Sequence, residues 1–278
     1  MKYLLLICLF QLVSFSTQAI VIRHDVDDLK YRASKDDFPA LATFYKDGAH
    51  GTLIHPKWIV TAAHASFCIS ADTFVDINGI ARKIKKLQIH PDYQPGKSHD
   101  IALVELENPV TDVEPVNIYN QTTELYKQVW FIGIGGTGTG LTGETVDNAK
   151  NNGILRKAQN TIIEASGPLI KFIFNREKQA LPLEGVSGGG DSGGPAYMVK
   201  DGQFELLGIS SRPEGQFNKI GVYGITEVYS RTSFFKLWIE SVIAGKTMGL
   251  SNLPTDKLVA GLTPDLLPMV CEDIKIKP

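Results

Sequence analysis

Apolar residues fall in short runs along most of the chain, at residues 41–45, 51–54, 58–61, 101–106, 129–134, 169–174, 204–209 and 222–225. Many carry β-branched or aromatic side chains, and Gly, Pro, Asn and Asp separate them. Runs this short between turn formers predict strands, and their recurrence predicts an all-β sandwich or barrel. Arg82, Lys83, Lys85 and Lys86 alternate with Ile80, Ile84, Leu87 and Ile89, which reads as the solvated face of one strand. The polar, glycine-rich stretch 135–153 predicts a long surface loop. Phe234, Phe235, Leu237, Trp238, Ile239, Val242 and Ile243 suit a helix with one apolar face. Residues 244–278 form an extension punctuated by Pro254, Pro264, Pro268 and Pro278, either packed on the body or loosely ordered.

The first 19 residues have a pattern of their own: Lys2, an apolar core from Tyr3 to Val13, polar residues, then Ala19. A charged start, an apolar core and a small final residue predict a secretory signal peptide cleaved after Ala19. The core is shorter than the roughly 20 residues of a membrane span. The expected destination is therefore secreted or periplasmic, with no membrane contact after cleavage. Net charge is -2 and the one dense basic cluster reads as a strand face, which argues against a nucleic-acid partner. Removal of Cys8 leaves Cys68 and Cys271, as one disulfide or as two free thiols.

The strongest chemical signal is Gly190-Asp191-Ser192-Gly193-Gly194-Pro195. A serine hydroxyl needs a base to take its proton and N–H groups to hold the oxyanion. The run also satisfies G-x-S-x-G, the nucleophile elbow of α/β-hydrolases, in which the histidine follows the serine. All six histidines here precede Ser192, so chain order rejects that reading. Upstream, His64 follows the apolar run 58–61, and Asp100 opens the apolar run 101–106. A carboxylate placed where it is buried needs a partner, and an imidazole acting as base needs a group to fix its tautomer. Two other patterns carry no weight. Gly133 to Gly138 matches G-x-G-x-x-G but no helix-forming stretch follows. His24, Asp25, Asp27 and Asp28 read as a solvated acidic segment, not a metal site.

Thr61-Ala62-Ala63-His64, His99-Asp100-Ile101-Ala102-Leu103 and Gly190 to Pro195, in that order, closely resemble the trypsin/chymotrypsin family of serine proteases. His90-Pro91-Asp92-Tyr93 and Gly221-Val222-Tyr223 add to the likeness, which runs from about residue 20 to 243. The resemblance implies two antiparallel six-stranded β-barrels, a C-terminal helix and, here, an extra tail. The implied division is 1–19 signal, 20–122 first barrel, 123–243 second barrel and helix, and 244–278 extension. It implies a catalytic triad of His64, Asp100 and Ser192, acting on polypeptides without a cofactor or metal. The N–H groups of Gly190 and Ser192 would form the oxyanion hole, and an ammonium on Ile20 would pair with Asp191.

Ile22-Arg23 departs from the family's two glycines after Ile-Val, which bears on how deeply Ile20 inserts. Val186 aligns with the floor of the specificity pocket, with Ser211, Pro213 and Gly221 along its walls. Without a carboxylate at Val186, the expectation leans to apolar side chains at the scissile bond. Two rivals to an exported endopeptidase remain: a catalytically silent, protease-like binding protein, and an esterase on the same triad.

Overall fold

The computed structural model describes residues 20–215 and 219–278; the expected signal segment lies outside them. Two closed, six-stranded antiparallel barrels make up the body. The first contains Leu41–Tyr45, Gly48–His55, Trp58–Thr61, Phe74–Ile77, Ile80–Ile89 and Ala102–Leu106. The second contains Gln128–Gly133, Arg156–Ser166, Leu169–Ile173, Pro195–Lys200, Gln203–Glu214 and Thr226–Arg231.

Local chemistry accounts for these elements. Trp58–Thr61 and Ala102–Leu106 are buried along their whole length, as expected of strands walled on both faces. They pair with each other through Thr61 and Ala102, so the residues just beyond them emerge together at one barrel rim. The basic strand Ile80–Ile89 turns Ile84, Leu87 and Ile89 inward. Its cations face acids: Arg82 meets Asp112, Lys83 meets Asp72, and Lys85 and Lys86 share Glu105.

Two predicted elements differ. Residues 222–225 form a turn, and the strand begins at Thr226, because Gly221 and Gly224 adopt φ of 77° and 84°. The stretch 135–153 is not wholly a loop either. Thr137–Thr139 and Gly143–Val146 join Ile20–Ile22 and Gly185–Val186 in a separate four-stranded sheet.

The helix Thr232–Ile243 buries Phe235, Ile239 and Val242. Its entry is fixed by Arg231, whose guanidinium donates to the fully buried Glu124 at 2.9 and 2.7 Å. The extension packs on the first barrel. Leu250 pairs with Ile89, Lys46 N–H donates to Ile274 at 2.9 Å, and Cys271 is disulfide-bonded to Cys68. No helix among the described residues is long and apolar enough to cross a membrane.

Candidate active site

His64 opens a short turn directly after the buried Ala62 and Ala63, and Asp100 sits immediately before Ile101 and the strand Ala102–Leu106. Strand register therefore brings the two together although 36 positions separate them in the chain. Asp100 Oδ2 lies 2.7 Å from His64 Nδ1, and Asp100 Oδ1 accepts from the His64 backbone N–H at 2.9 Å. An ionised carboxylate only accepts, so this contact assigns the proton to Nδ1 and leaves Nε2 with its lone pair. Nε2 stands 2.7 Å from Ser192 Oγ. Asp100 is held from two further directions, by Ser211 Oγ at 2.6 Å on Oδ2 and by Ser230 Oγ at 2.8 Å on its carbonyl.

The electrostatics match this geometry. Burial alone would lower the His64 pKa, but the Asp100 charge and hydrogen bond outweigh it and hold it above the ordinary value. Burial would raise Asp100, yet His64, Ser211 and the His64 N–H keep it below the ordinary range.

Ser192 lies on the loop between Gly185–Val186 and Pro195–Lys200. The first barrel grips this loop from behind. Ala49 N–H donates to Gly190 O and His50 N–H to Ser192 O, both at 2.7 Å. Gly48 lies so close that a Cβ there would stand 2.3 Å from Gly190 O. On the other side Gly136 N–H donates to Gly189 O at 2.5 Å. Because the peptide between Gly189 and Gly190 is planar and trans, fixing its carbonyl turns the Gly190 N–H the opposite way. Among the described residues, neither that N–H nor the Ser192 N–H has an acceptor.

The glycines at 133–138, a chance motif in the sequence, have a mechanical reason. A Cβ on Gly133 would stand 2.1 Å from Asp191 Oδ1, and Gly135 N–H donates to that oxygen at 2.7 Å. Gly188 N–H donates to Asp191 Oδ2 at 2.9 Å. His50 is the other residue that motif reading misses. Its ring is fully buried, and burial lowers its pKa to about 4, so it is neutral. Its Nε2 accepts from Ile134 N–H at 3.1 Å, so the 3.7 Å approach to Asp191 Oδ1 is not an ion pair. Burial pushes Asp191 up to about 7. Its proximity to Ser192 in the chain gave no hint of His50, which reaches both only through the fold.

Ile20 is buried, pairs with Thr137, and accepts from Thr137 Oγ1 at 2.7 Å. Thr137 stands two positions beyond Gly135, the donor to Asp191. Val186 is fully buried and clusters with Val21, Phe174 and Ile225. Ser211 spends its hydroxyl on Asp100. Pro213 is exposed and faces Glu227 across the sheet. Gly221 lies against the N-terminal strand, since a Cβ there would meet Val21 Cγ2 at 2.4 Å.

The acidic segment near the start is engaged by arginines. Asp25 pairs with Arg23 at 2.7 Å, while Asp28 accepts from Arg156 Nε and Arg32 Nη2 at 2.6 Å. His90, Asp92 and His99 bring potential ligand atoms within 4.8 Å of one another. His90 Nδ1, however, accepts from Asp92 N–H at 3.2 Å, which leaves the ring proton on Nε2 and no lone pair for a metal.

The comparisons agree with this architecture. The family model for Trypsin matches residues 30–239. The serine protease filzig of Drosophila melanogaster is 29% identical over 236 residues, covering 74% of this chain and 13% of that protein. Vitamin K-dependent protein C of Rattus norvegicus is 26% identical over 227 residues, covering 73% of this chain and 47% of that protein. Its Mus musculus counterpart is 26% identical over 230 residues, with the same coverage of 73% and 47%. The chain belongs to the trypsin/chymotrypsin family of serine proteases. It spans about half or less of the length of these relatives.

Proposed function

We propose that this chain is an exported serine endopeptidase that cleaves polypeptides through an acyl-enzyme, with His64, Asp100 and Ser192 as its triad. The observation that carries the reading is the continuous path from Asp100 Oδ2 through His64 to Ser192 Oγ, with 2.7 Å at each contact. In this reading Ser192 Oγ attacks the scissile carbonyl carbon while His64 Nε2 takes its proton. The carbonyl oxygen becomes an oxyanion between the free N–H groups of Gly190 and Ser192. His64 returns the proton to the leaving amine, and water then repeats the sequence to release the acid. Asp100 orients the ring and offsets the charge of the imidazolium.

Activation belongs to the same proposal. Cleavage after Ala19 creates an ammonium on Ile20 beside the sheet that lines Asp191. A cation there supplies what a buried carboxylate lacks and holds the Gly190 loop in place. Export is supported by the residue pattern of 1–19 and by the Cys68–Cys271 disulfide. The division into 20–122, 123–243 and an appended 244–278 is part of this reading.

Labelling with a fluorophosphonate probe tests it. The secreted protein should label at Ser192, lose labelling as Ser192→Ala, and hydrolyse a peptide amide as well as the matched ester. Absence of labelling in protein with a sequenced Ile20 terminus sinks the reading, and ester cleavage without amide cleavage reduces it to an esterase.

A further inference from the structure

Among the described residues, the second barrel buries a carboxylate, Glu227, with an oxygen that has no hydrogen-bond partner. Glu227 is 2% exposed, and its Oε1 has no hydrogen bond among the described residues. It stands on the strand Thr226–Arg231 opposite Pro213, two positions from Ser211, which holds Asp100. Side chains alternate along a strand, so Glu227 shares a face with Tyr229. The Tyr229 hydroxyl lies 2.5 Å from Ser187 Oγ, and Ser210 Oγ donates to Ser187 at 3.4 Å. Ser187 is five residues before Ser192 and directly follows Val186.

This corner therefore gathers oxygen atoms: three hydroxyls, the Glu227 carboxylate and, electrostatically, Asp191. Burial, with Asp191 adding, pushes Glu227 up to about 8. A buried carboxyl oxygen without a hydrogen bond is destabilising, and Glu227 Oε1 is in that position. The apolar neighbour Val186 turns into the cluster with Val21 and Phe174 and supplies no charge.

We infer that Glu227, not Val186, sets the preference at the scissile bond, by receiving the cationic side chain of a substrate lysine or arginine. An ammonium or guanidinium brings both the positive charge and the N–H donors that the corner lacks. This rests on the proposed peptidase reading for its substrate and reverses the apolar preference expected from Val186.

Two measurements test it separately from catalysis. The first compares kcat/KM on peptide amides that differ only in lysine against the neutral isostere norleucine at the scissile bond. Lysine should be favoured by about tenfold or more, and Glu227→Gln should abolish the preference while Ser192 still labels. Equal rates on the two substrates, or a preference that survives Glu227→Gln, overturn the inference. The second measures benzamidine against neutral benzamide by calorimetry on Ser192→Ala protein, which needs no turnover. Benzamidine should bind more tightly by about tenfold or more, and Ser192→Ala/Glu227→Gln should lose the difference. Equal binding of both probes overturns the inference even if labelling succeeds. Failure to label with selective benzamidine binding intact overturns only the peptidase reading. Wild-type selectivity decides the matter if Glu227→Gln does not fold.

Discussion

Ser211 Oγ donates a 2.6 Å hydrogen bond to Asp100 Oδ2, the same oxygen that faces His64 Nδ1. Two donors on one oxygen restrict the carboxylate and spread its charge between them. Ser211→Ala removes one of these and leaves the His64 N–H and Ser230 contacts in place. One hydrogen bond to a charged group is worth about 1.5–3 kcal/mol when it stands alone. With the others remaining, kcat/KM on a peptide amide should fall by about threefold to thirtyfold. An unchanged rate would mean that Asp100 is positioned without Ser211.

The contrast between the proposed triad and Glu227 explains how far the sequence could be read. His64, Asp100 and Ser192 each sit at the end of a strong local signal, a buried strand or a glycine turn, and the barrel rim gathers such ends. Glu227 lies inside Thr-Glu-Val-Tyr-Ser-Arg, where a charged residue in an alternating strand reads as solvent-facing. Only closure of the second barrel, with Phe172 and Pro213 on either side, buries it. Val222 and Tyr223 misled for the opposite reason, because β-branched and aromatic residues favour a strand that the left-handed glycines beside them prevent. His50 and the glycines at 133–138 act across the cleft, and no local pattern encodes a contact between barrels.

The pH profile follows from the His64–Asp100 pair. The proposed mechanism needs His64 neutral, whereas Asp100 favours its protonated form and holds its pKa above the ordinary 6.5. Activity should therefore be full above that raised pKa and fall as pH drops through it, so the acid limb of kcat/KM lies above 6.5. Asp100→Asn leaves burial as the dominant influence, which lowers the pKa, and the acid limb should move downward. A limb that stays in place in Asp100→Asn would show that another group titrates.

Gly48 makes a different demand on the site. Its φ is +138°, and a Cβ would stand 2.3 Å from Gly190 O. Gly48→Ala must push the strand Gly48–His55 away from the loop that carries Gly190 and Ser192, disturbing the bonds from Ala49 and His50. Displacing an oxyanion donor costs about 10²–10³ in kcat, and Gly48→Ala should approach that loss. Gly153→Ala is the control: it shares a positive φ of +68° but has nothing within 4 Å of its Cβ. It should cost about 1–2 kcal/mol of stability and leave kcat unchanged. Comparable kcat losses in both variants would place the effect in backbone strain, not in contact with Gly190.

The extension should depend on its disulfide. The helix Leu267–Ile274 carries Cys271 and has no fully buried residue, and its apolar contact with the core comes from the half-buried Ile274. Beyond the disulfide it is joined to the first barrel chiefly by Lys46, whose N–H reaches Ile274 O and whose Nζ reaches Asp273 O, both at 2.9 Å. Closer to the body the attachment is firmer, with Ile89 and Leu250 exchanging two hydrogen bonds at 2.8 and 2.9 Å and Gly249 N–H reaching Gln88 Oε1 at 2.7 Å. Cys271→Ser should therefore release the last helix first and leave the Ile89–Leu250 pairing in place. Hydrogen exchange should show lost protection at 267–274 with protection near Leu250 retained. The disulfide closes a segment with a sequence separation of 203, so its loss should also lower global stability, by about 2–5 kcal/mol in urea unfolding. Protection at 267–274 that survives Cys271→Ser would mean that packing, not the covalent link, keeps the extension on the barrel.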